Sequence, residues 1–448
     1  MKNYKKYFLI FLIAFLILFI FSYFLPLLSY QEARKAVIIK ETYYGNFLIP
    51  TYNSEPYFTK PPLHTWVSLP FYALGHIFSS EVFLMRLVSF LSYTLTGFII
   101  YKIQKKDLFK TLLSLFILFS SFRFLSFIYR IDVEPLFILF TTASFYFLMR
   151  FKETLENKYV YLFYLFFAFA FLTRGPLHLF LLPAFLINAF IFKDRTILKL
   201  LFFLKGWLIF IFISFPWYIF GYLKFGAGVF QEFIYTDIFK RLAGSGKSDP
   251  FYYYFSALIL NFLPWILLLL IKAKTLLKKD FSLFSAEPGF YFLVFFIPIF
   301  LLSFTGEKFD KYLLFLYPIV ALFMSEILLW CYSQKFLLSL GAFLFILNLS
   351  AILLIQLNSL KDLNYKIDLI KINLPKKERI IFYQEENPLF IYYLGRPVPV
   401  VKEESKFLKY LKSGYGAFTT EEIRNLIPYR IFPDPYKKGK IWYYYKLT

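Results

Sequence analysis

Residues 56–63, Pro-Tyr-Phe-Thr-Lys-Pro-Pro-Leu, place a cation directly before two prolines that fix the backbone. They lie in a polar stretch, residues 26–81, between an apolar run that opens the chain and another that starts near Val82. The ionisable residues of this stretch include Glu32, Arg34, Lys40, Glu41, Glu55, Lys60 and His64. Because ionisable groups beside membrane-spanning segments usually serve binding or chemistry, the stretch is the first candidate for a functional site.

Polar residues cluster at further places that are predicted to lie on the same side of a membrane. These are residues 31–34 (Gln-Glu-Ala-Arg), residues 130–135 (Arg-Ile-Asp-Val-Glu-Pro), and a group formed by residues 173–176, 236–237, 240–241 and 307–312. Carboxylates and cations at the ends of different helices would enclose a polar cavity with apolar walls. Such a cavity suits a substrate with a lipid tail and a phosphate-bearing head, since Lys and Arg neutralise phosphate.

The composition predicts a polytopic α-helical membrane protein. Hydrophobic residues make up 59% of the 448 residues, charged residues only 17%, and the mean hydropathy is +0.60. A soluble globular protein of this size could not bury so much apolar surface. A spanning helix needs roughly 20 apolar residues, and about eleven segments qualify. They are residues 7–25, 82–103, 110–128, 133–150, 158–173, 176–192, 200–223, 251–271, 288–304, 312–331 and 335–356.

The net charge of +22 is explained by topology rather than by a nucleic-acid partner. Lys and Arg are concentrated in alternate short loops, starting with the N-terminal Lys2, Lys5 and Lys6, and the loops between them hold few. This asymmetry is the positive-inside pattern. It predicts a cytoplasmic N-terminus and an outer location for the 26–81 stretch and for the C-terminal segment.

Beyond residue 356 the pattern becomes that of a small soluble domain. Three runs of the type found in strands and two stretches with helical spacing alternate there, with polar turns between them. The runs are residues 379–383, 398–401 and 440–445, and the helical stretches are residues 387–394 and 404–411. We therefore expect a membrane domain at residues 1–356 and a C-terminal α/β domain at residues 357–448.

Several polar residues have a structural interpretation that competes with a functional one. Asp132 and Glu134 either act directly or pair with Arg130 and Arg123 to close a helix end. Arg174 lies between two spans with almost no loop, where a cation needs a buried partner, and this favours a functional role. A permanent zinc site is not expected, because the chain has only three His and one Cys.

A longer series of segments resembles a known family. It starts with residues 31–34, 46–50 (Asn-Phe-Leu-Ile-Pro), 53–66 and 85–87 (Met-Arg-Leu), and continues in the same order with residues 130–132, 171–176 (Phe-Leu-Thr-Arg-Gly-Pro), 215–218 (Phe-Pro-Trp-Tyr), 262–265 (Phe-Leu-Pro-Trp) and 308–309 (Lys-Phe). These segments resemble the aminoarabinose lipid A transferases, within the protein O-mannosyltransferase-like glycosyltransferases of the GT-C type. The resemblance extends to about residue 330.

The resemblance implies transfer of a sugar from a polyprenyl-phosphate donor. The acceptor would be of the lipid A or lipopolysaccharide type, or another lipid or glycan of the cell envelope, on the periplasmic face of the bacterial inner membrane. It assigns the donor phosphate to Lys60, Arg174 and Lys308, and proton transfer to the carboxylates Glu32 and Asp132. The remaining residues of the substrate pocket would be Gln31, Arg34, Thr59, His64, Asp237 and Tyr312.

Two positions depart from the family pattern. Gln31 stands where the family has its expected catalytic Asp, and Thr59 stands where it has a Glu that is expected to bind metal. A divalent metal is the one cofactor that the resemblance leaves open, and these two replacements argue against it. A hydroxyl acceptor would need a carboxylate base, whereas a phosphate acceptor is already anionic and needs only positioning.

The alternative hypothesis is a flippase or transporter of polyprenyl-linked sugars, or an inactive relative that only binds such lipids. A transporter of this kind is expected to have interrupted helices at matching places in two halves of the chain. The sequence shows no such repeat, and the large first outer stretch favours an enzyme.

Overall fold

The computed structural model describes residues 2–230, 249–278, 286–423 and 426–446. The chain forms two compact units. The first contains Met1–Ile20, Phe58–His64 and Arg86–Ile352, and the second contains Phe21–Tyr57, Thr65–Met85 and Leu353–Thr448.

The first half of the chain is a series of helices joined by short connections. The α-helices are α1 (Lys2–Phe21), α2 (Tyr30–Tyr44), α3 (Leu63–Ile77), α4 (Glu81–Ile103), α5 (Leu108–Phe119), α6 (Phe122–Leu125), α7 (Val133–Thr154), α8 (Asn157–Arg174), α9 (Leu181–Ile191), α10 (Arg195–Leu201), α11 (Leu204–Ser214), α12 (Pro216–Phe225) and α13 (Gly228–Phe230). Short 3-10 helices cover Ser22–Phe24 and Pro176–Phe180.

The second half continues the bundle and ends in a domain with a sheet. Its α-helices are α14 (Tyr253–Asn261), α15 (Leu263–Ile271), α16 (Ala273–Lys278), α17 (Ala286–Leu302), α18 (Tyr317–Cys331), α19 (Gln334–Asn373), α20 (Pro388–Leu394) and α21 (Glu404–Lys412), and a 3-10 helix covers Asp310–Leu316. The strands of the chain are β1 (Thr51–Tyr52), β2 (Glu55–Pro56), β3 (Ile380–Tyr383), β4 (Val400–Val401), β5 (Gly416–Thr419), β6 (Arg430–Pro433) and β7 (Ile441–Tyr445).

The helical membrane class is confirmed, and each of the predicted spans coincides with a helix or a pair of helices. Among the described residues, six helices are long and apolar enough to cross a membrane. A seventh span results if α14 and α15, which meet at an angle of 88°, are counted together. Other predicted spans are shorter apolar helices, such as α5 and α17. The break after α14 has a local cause, because α15 carries Pro264 in its first turn and proline has no N–H to donate.

The second unit combines the polar stretch with the C-terminal sheet. Helix α2 begins after the N-cap Ser29, and Gly45 follows its last residue as the C-cap. Strands β1 and β2 pair antiparallel as a small hairpin. The five-stranded sheet has the order β4-β3-β5-β7-β6, in which β3 pairs parallel with β4 and β5, while β7 pairs antiparallel with β5 and β6.

The predicted α/β character of the C-terminal segment is confirmed, although β5 and β6 were not predicted. Both are short, and β5 is buried at every position, so it shows no alternation of apolar and polar residues. Helix α19 continues to Asn373, beyond residue 356, where the sequence places the domain boundary. The division into compact units falls between Ile352 and Leu353, and the domain boundary stays a prediction.

Candidate active site

Arg174 is the last residue of α8, because the chain changes direction sharply after it. Gly175 follows with a φ of 88°, which favours glycine, and Pro176 then starts the 3-10 helix. Arg174 is 4% exposed and forms an ion pair with Glu134, which is 1% exposed. Burying an unpaired guanidinium would be very costly. The structure therefore supplies the buried partner that the sequence requires.

The ring of Tyr312 also lies against the Arg174 guanidinium. Arg174 Cζ is 4.8 Å from the centroid of the Tyr312 ring and 5.4 Å from that of Phe137. An arginine over an aromatic face is attracted by the negative centre of the ring. The structure thus brings together two of the predicted site residues, Arg174 and Tyr312, at the junction of α7, α8 and the 3-10 helix Asp310–Leu316.

Asp132 caps the helix whose first turn carries Glu134. Its Oδ1 accepts hydrogen bonds from the backbone N–H groups of Val133 at 2.7 Å and Glu134 at 3.4 Å. The side chain is buried, and the N-terminus of a helix stabilises a negative charge. Asp132 therefore has a structural role in α7, and its predicted catalytic role stays a prediction.

Arg123 and Asp310 form a second ion pair in the same unit. Arg123 Nη2 is 2.7 Å from Asp310 Oδ1, and both side chains are partly exposed. The sequence offered Arg123 as a partner for Asp132 or Glu134, and the pairs in the structure instead join Arg123 to Asp310 and Arg174 to Glu134. The pairing follows the packing of helices that are far apart in the chain.

Lys308 is buried and is held by backbone carbonyl groups. Its Nζ donates to the carbonyl oxygens of Asp249 at 2.8 Å and Thr305 at 2.5 Å, and its backbone N–H donates to Asp249 Oδ2 at 3.0 Å. An ammonium group has three N–H donors, so two of the three are used in these bonds. Its role at a donor phosphate stays a prediction.

Lys60 and Thr59 are half-buried and follow the buried Phe58. The ring of Phe58 lies 5.3 Å from that of Trp217 and 5.7 Å from that of Phe225. A Cβ atom at Gly221 would lie only 2.7 Å from the Phe58 ring, so the close approach needs glycine. Phe58 thus anchors the segment that carries Lys60 against α12.

His64 lies in the first turn of α3 and is buried. Only Leu63 separates it from the Lys-Pro-Pro segment. Its predicted place in the substrate pocket stays a prediction.

Glu32 is buried in the second unit and stabilises the start of α2. Its Oε2 accepts from the backbone N–H of Leu28 at 2.7 Å, and its own N–H donates to Ser29 Oγ at 3.2 Å. A serine followed three residues later by glutamate is the pattern of a capping box. This sequence signal was present at residues 29–32 and was missed.

Gln31 and Arg34 also come together on α2. Arg34 Nη2 donates to Gln31 Oε1 at 2.9 Å, and Arg34 Cζ lies 5.7 Å from the centroid of the Tyr57 ring. Gln31 is exposed, so this pair is accessible within its unit. Asp237, the remaining residue predicted for the substrate pocket, lies outside the described residues.

The residues that the structure describes contain no group of three or more His, Cys, Asp or Glu side chains that could hold a metal ion. Gln31 and Thr59 carry no carboxylate, and whether the protein uses a metal stays a prediction. We assign no step to a metal.

Arg86, near the start of α4, was not predicted as a site residue, although it is fully buried. The signal was an arginine inside an apolar run, which is costly in a membrane.

Comparison with known proteins places this arrangement in context. The family described as dolichyl-phosphate-mannose-protein mannosyltransferase matches residues 59–220, which include Lys60, Asp132 and Arg174. The crystal structure of ArnT from Cupriavidus metallidurans bound to undecaprenyl phosphate superimposes with a TM-score of 0.80 over 99% of this chain and 98% of that chain, at 14% identity. The chain therefore has the fold of ArnT.

Curated proteins are also similar to this chain over much of its length. An uncharacterized protein of Aquifex aeolicus is 29% identical over 90% of this chain and 91% of its own length. The undecaprenyl phosphate-alpha-4-amino-4-deoxy-L-arabinose arabinosyl transferase 1 of Proteus mirabilis is 27% identical over 68% of this chain and 56% of its own length. The chain therefore spans little more than half of that transferase. The comparisons support a multi-pass membrane glycosyltransferase of the GT-C type.

Proposed function

We propose that the protein transfers a sugar from a polyprenyl-phosphate donor to an acceptor of the cell envelope, at the periplasmic face of the bacterial inner membrane. The acceptor is of the lipid A or lipopolysaccharide type or another envelope glycolipid or glycan. The observation that carries the proposal is the buried Arg174, which is paired with Glu134 and lies over Tyr312. The family match over residues 59–220 and the ArnT fold support it.

A buried guanidinium at the end of α8 is suited to a lipid phosphate. Arginine presents its N–H donors in a rigid planar fork, which matches the geometry of phosphate oxygens. Lys60, which the Phe58 anchor and the following prolines hold in place, would supply a second cation. Neutralising the phosphate makes polyprenyl phosphate a better leaving group, because charge that develops on it is stabilised.

Whether a carboxylate must act as a base depends on the chemical nature of the acceptor. Asp132 caps α7 with Oδ1, and Glu32 binds the Leu28 N–H with Oε2; both are carboxylates, which are groups that can act as general bases. A hydroxyl acceptor needs such a base, while a phosphate acceptor needs only to be positioned. Because Gln31 stands where the family has Asp, we favour Glu32 as the base if the acceptor is a hydroxyl.

The experiment uses a strain from which the gene is deleted. We expect its envelope lipids or glycans to lack one sugar by mass spectrometry, and its lipid extract to accumulate the polyprenyl-phosphate sugar. Purified protein added to this extract, with envelope lipids, should release polyprenyl phosphate. When expressed in the deletion strain, wild type and Lys377→Ala, which removes an exposed lysine, should restore the missing sugar to the envelope. Lys60→Ala should not restore it.

Two outcomes would contradict the proposal. If purified wild-type protein releases no polyprenyl phosphate while the donor still moves between leaflets of proteoliposomes, the flippase hypothesis is correct. If Lys60→Ala restores the sugar as well as Lys377→Ala does, the phosphate site lies elsewhere.

A further inference from the structure

A cavity of about 290 Å³ lies inside the second unit, between α2, the β1–β2 hairpin and the end of α20. Its polar and aromatic walls are formed by Lys40, Glu41, Tyr44, Thr51, Tyr392 and Arg396. Its volume is at the lower end of the range for small-molecule sites, about 300–1,000 Å³. None of the residues predicted for the active site lines this cavity.

Glu41 offers an acceptor that the fold leaves for a ligand. Its Oε2 accepts from Thr51 Oγ1 at 2.8 Å and from the backbone N–H of Ser54 at 3.0 Å. Its Oε1 is buried and has no hydrogen-bond partner among the described residues. A buried carboxylate oxygen without a donor is costly, so a ligand hydroxyl group at this point would be stabilising.

Two cationic side chains line the cavity, Lys40 from α2 and Arg396 from the segment that follows α20. Lys40 Nζ donates to the carbonyl oxygen of Tyr392 at 3.1 Å, near the end of α20. Burial of Lys40 lowers the pKa of its ammonium group from the ordinary value of 10.5. Arg396 donates one N–H to the carbonyl oxygen of Glu378, and its guanidinium has further donors. Two cations beside one carboxylate suit a neutral or weakly acidic ligand that is rich in hydroxyl groups.

Aromatic rings complete the wall. Tyr44 is 61% exposed, and the Tyr392 ring lies 4.9 Å from Lys40 Nζ. Sugars combine apolar C–H faces, which pack on aromatic rings, with hydroxyl groups, which bind charged side chains. An apolar lipid tail would leave Glu41 Oε1 without a partner, and a simple anion would make no use of the aromatic rings. The wall therefore favours a carbohydrate.

We propose that this cavity is a carbohydrate-binding site that holds the glycan part of the acceptor. That the bound glycan belongs to the acceptor rests on the proposed function. That the cavity binds carbohydrate rests on Glu41, Tyr44, Tyr392 and Arg396 alone.

The test measures binding to purified full-length protein in detergent. The probe is the pool of oligosaccharides released by mild acid hydrolysis from the envelope of the producing strain, and binding is followed by saturation-transfer difference NMR and titration. Tyr44→Ala should weaken binding about tenfold or more, since it removes a ring that packs on the sugar. Glu41→Gln should weaken it about fivefold, because the hydrogen bond to a charged acceptor becomes one to a neutral acceptor.

Matched variants separate this proposal from the transferase proposal. Tyr429→Ala removes a similarly exposed tyrosine, at 55%, of the same unit that does not line the cavity, and it should bind as wild type does. Lys60→Ala should also keep full binding, even though it abolishes transfer. Binding by a wild-type protein that shows no transfer would support the cavity and contradict only the transferase. No binding by wild type, or equal binding by Tyr44→Ala, Glu41→Gln and wild type, would overturn the proposal.

Discussion

Arg174 and Glu134, in the first unit, are almost fully buried and pair with each other, whereas Lys40 and Glu41, in the second unit, are half-buried and bind backbone and hydroxyl groups. The surroundings explain the contrast. Inside an apolar bundle a lone charge costs several kcal/mol, so the partner must be built into the fold. Glu41 is only half-buried as a residue, but its buried Oε1 has no hydrogen-bond partner among the described residues, so a ligand could complete its bonding. The Arg174–Glu134 pair is thus completed within the fold, whereas the bonding of Glu41 is not.

Breaking the pair in the bundle should have the largest effect. Arg174→Met leaves Glu134 as a buried, uncompensated charge and should cost about 3–5 kcal/mol of stability. We expect a large fall in Tm and loss of monodisperse protein in detergent. The double variant Arg174→Met/Glu134→Leu should recover most of the Tm without recovering transfer. If the double variant is as unstable as Arg174→Met, the uncompensated charge of Glu134 is not the cause of the instability.

Removing only the charge of Glu32 should have the next largest effect, and on turnover rather than on stability. Glu32→Gln keeps an oxygen that can accept from the Leu28 N–H, so Tm should change little. With a hydroxyl acceptor kcat should fall roughly 10²-fold, while Glu55→Gln, at an exposed position of the same stretch, should leave kcat unchanged. A small effect of Glu32→Gln together with a phosphate acceptor would identify Glu32 as a purely structural cap.

The anchor of the Lys60 segment can be tested without touching a charge. Gly221→Ala places a methyl group 2.7 Å from the Phe58 ring and should cost about 1–3 kcal/mol through overpacking. It should also lower transfer, because Lys60 moves with Phe58. Gly228→Ala is the control, since a Cβ atom there would meet no atom within 4 Å. If both alanine variants behave alike in thermal melts and transfer assays, the anchor is not important.

Glu386 should show the smallest effect, as a dependence of stability on pH. Burial raises the pKa of Glu386 above its ordinary value of 4.5, and the neighbouring Tyr52 and Asn53 partly offset this. The folded protein therefore prefers the neutral carboxyl group, and stability contributed by this residue is lost as the pH rises from below 4.5 through the raised pKa. Glu386→Gln should melt at the same temperature as wild type at low pH and up to about 4 °C higher at pH 7. A difference that does not grow with pH would contradict this assignment.

The sequence predicts the helices well because apolar runs of spanning length have few other structures available in a membrane. It also predicts that Arg174 needs a partner. It does not identify Glu134 as the partner of Arg174, because that choice depends on which helix ends meet. In the sequence, Arg123 and Arg130 are nearer to Glu134 and were its more obvious partners. The role of Glu32 was readable from Ser29, three residues earlier. The contact of Phe58 with Gly221 had no sequence signal, since the two are far apart in the chain and one is a glycine.

The 88° bend between α14 and α15 has a consequence for how the chain enters the membrane. Each of these helices has nine residues, about 14 Å at 1.5 Å per residue, and a bilayer core is about 30 Å thick. During synthesis neither half is long enough to be inserted as a span by itself. An earlier segment binds at the bend, since Ser121 donates to Asn261 at 2.9 Å and Trp265 donates to Ser120 at 2.7 Å. Asn348, from a later segment, donates to the carbonyl oxygen of the same Ser120. We therefore expect this region to settle into the bilayer only after residue 348 has been made, which makes it the last part of the bundle to become resistant to protease during biogenesis.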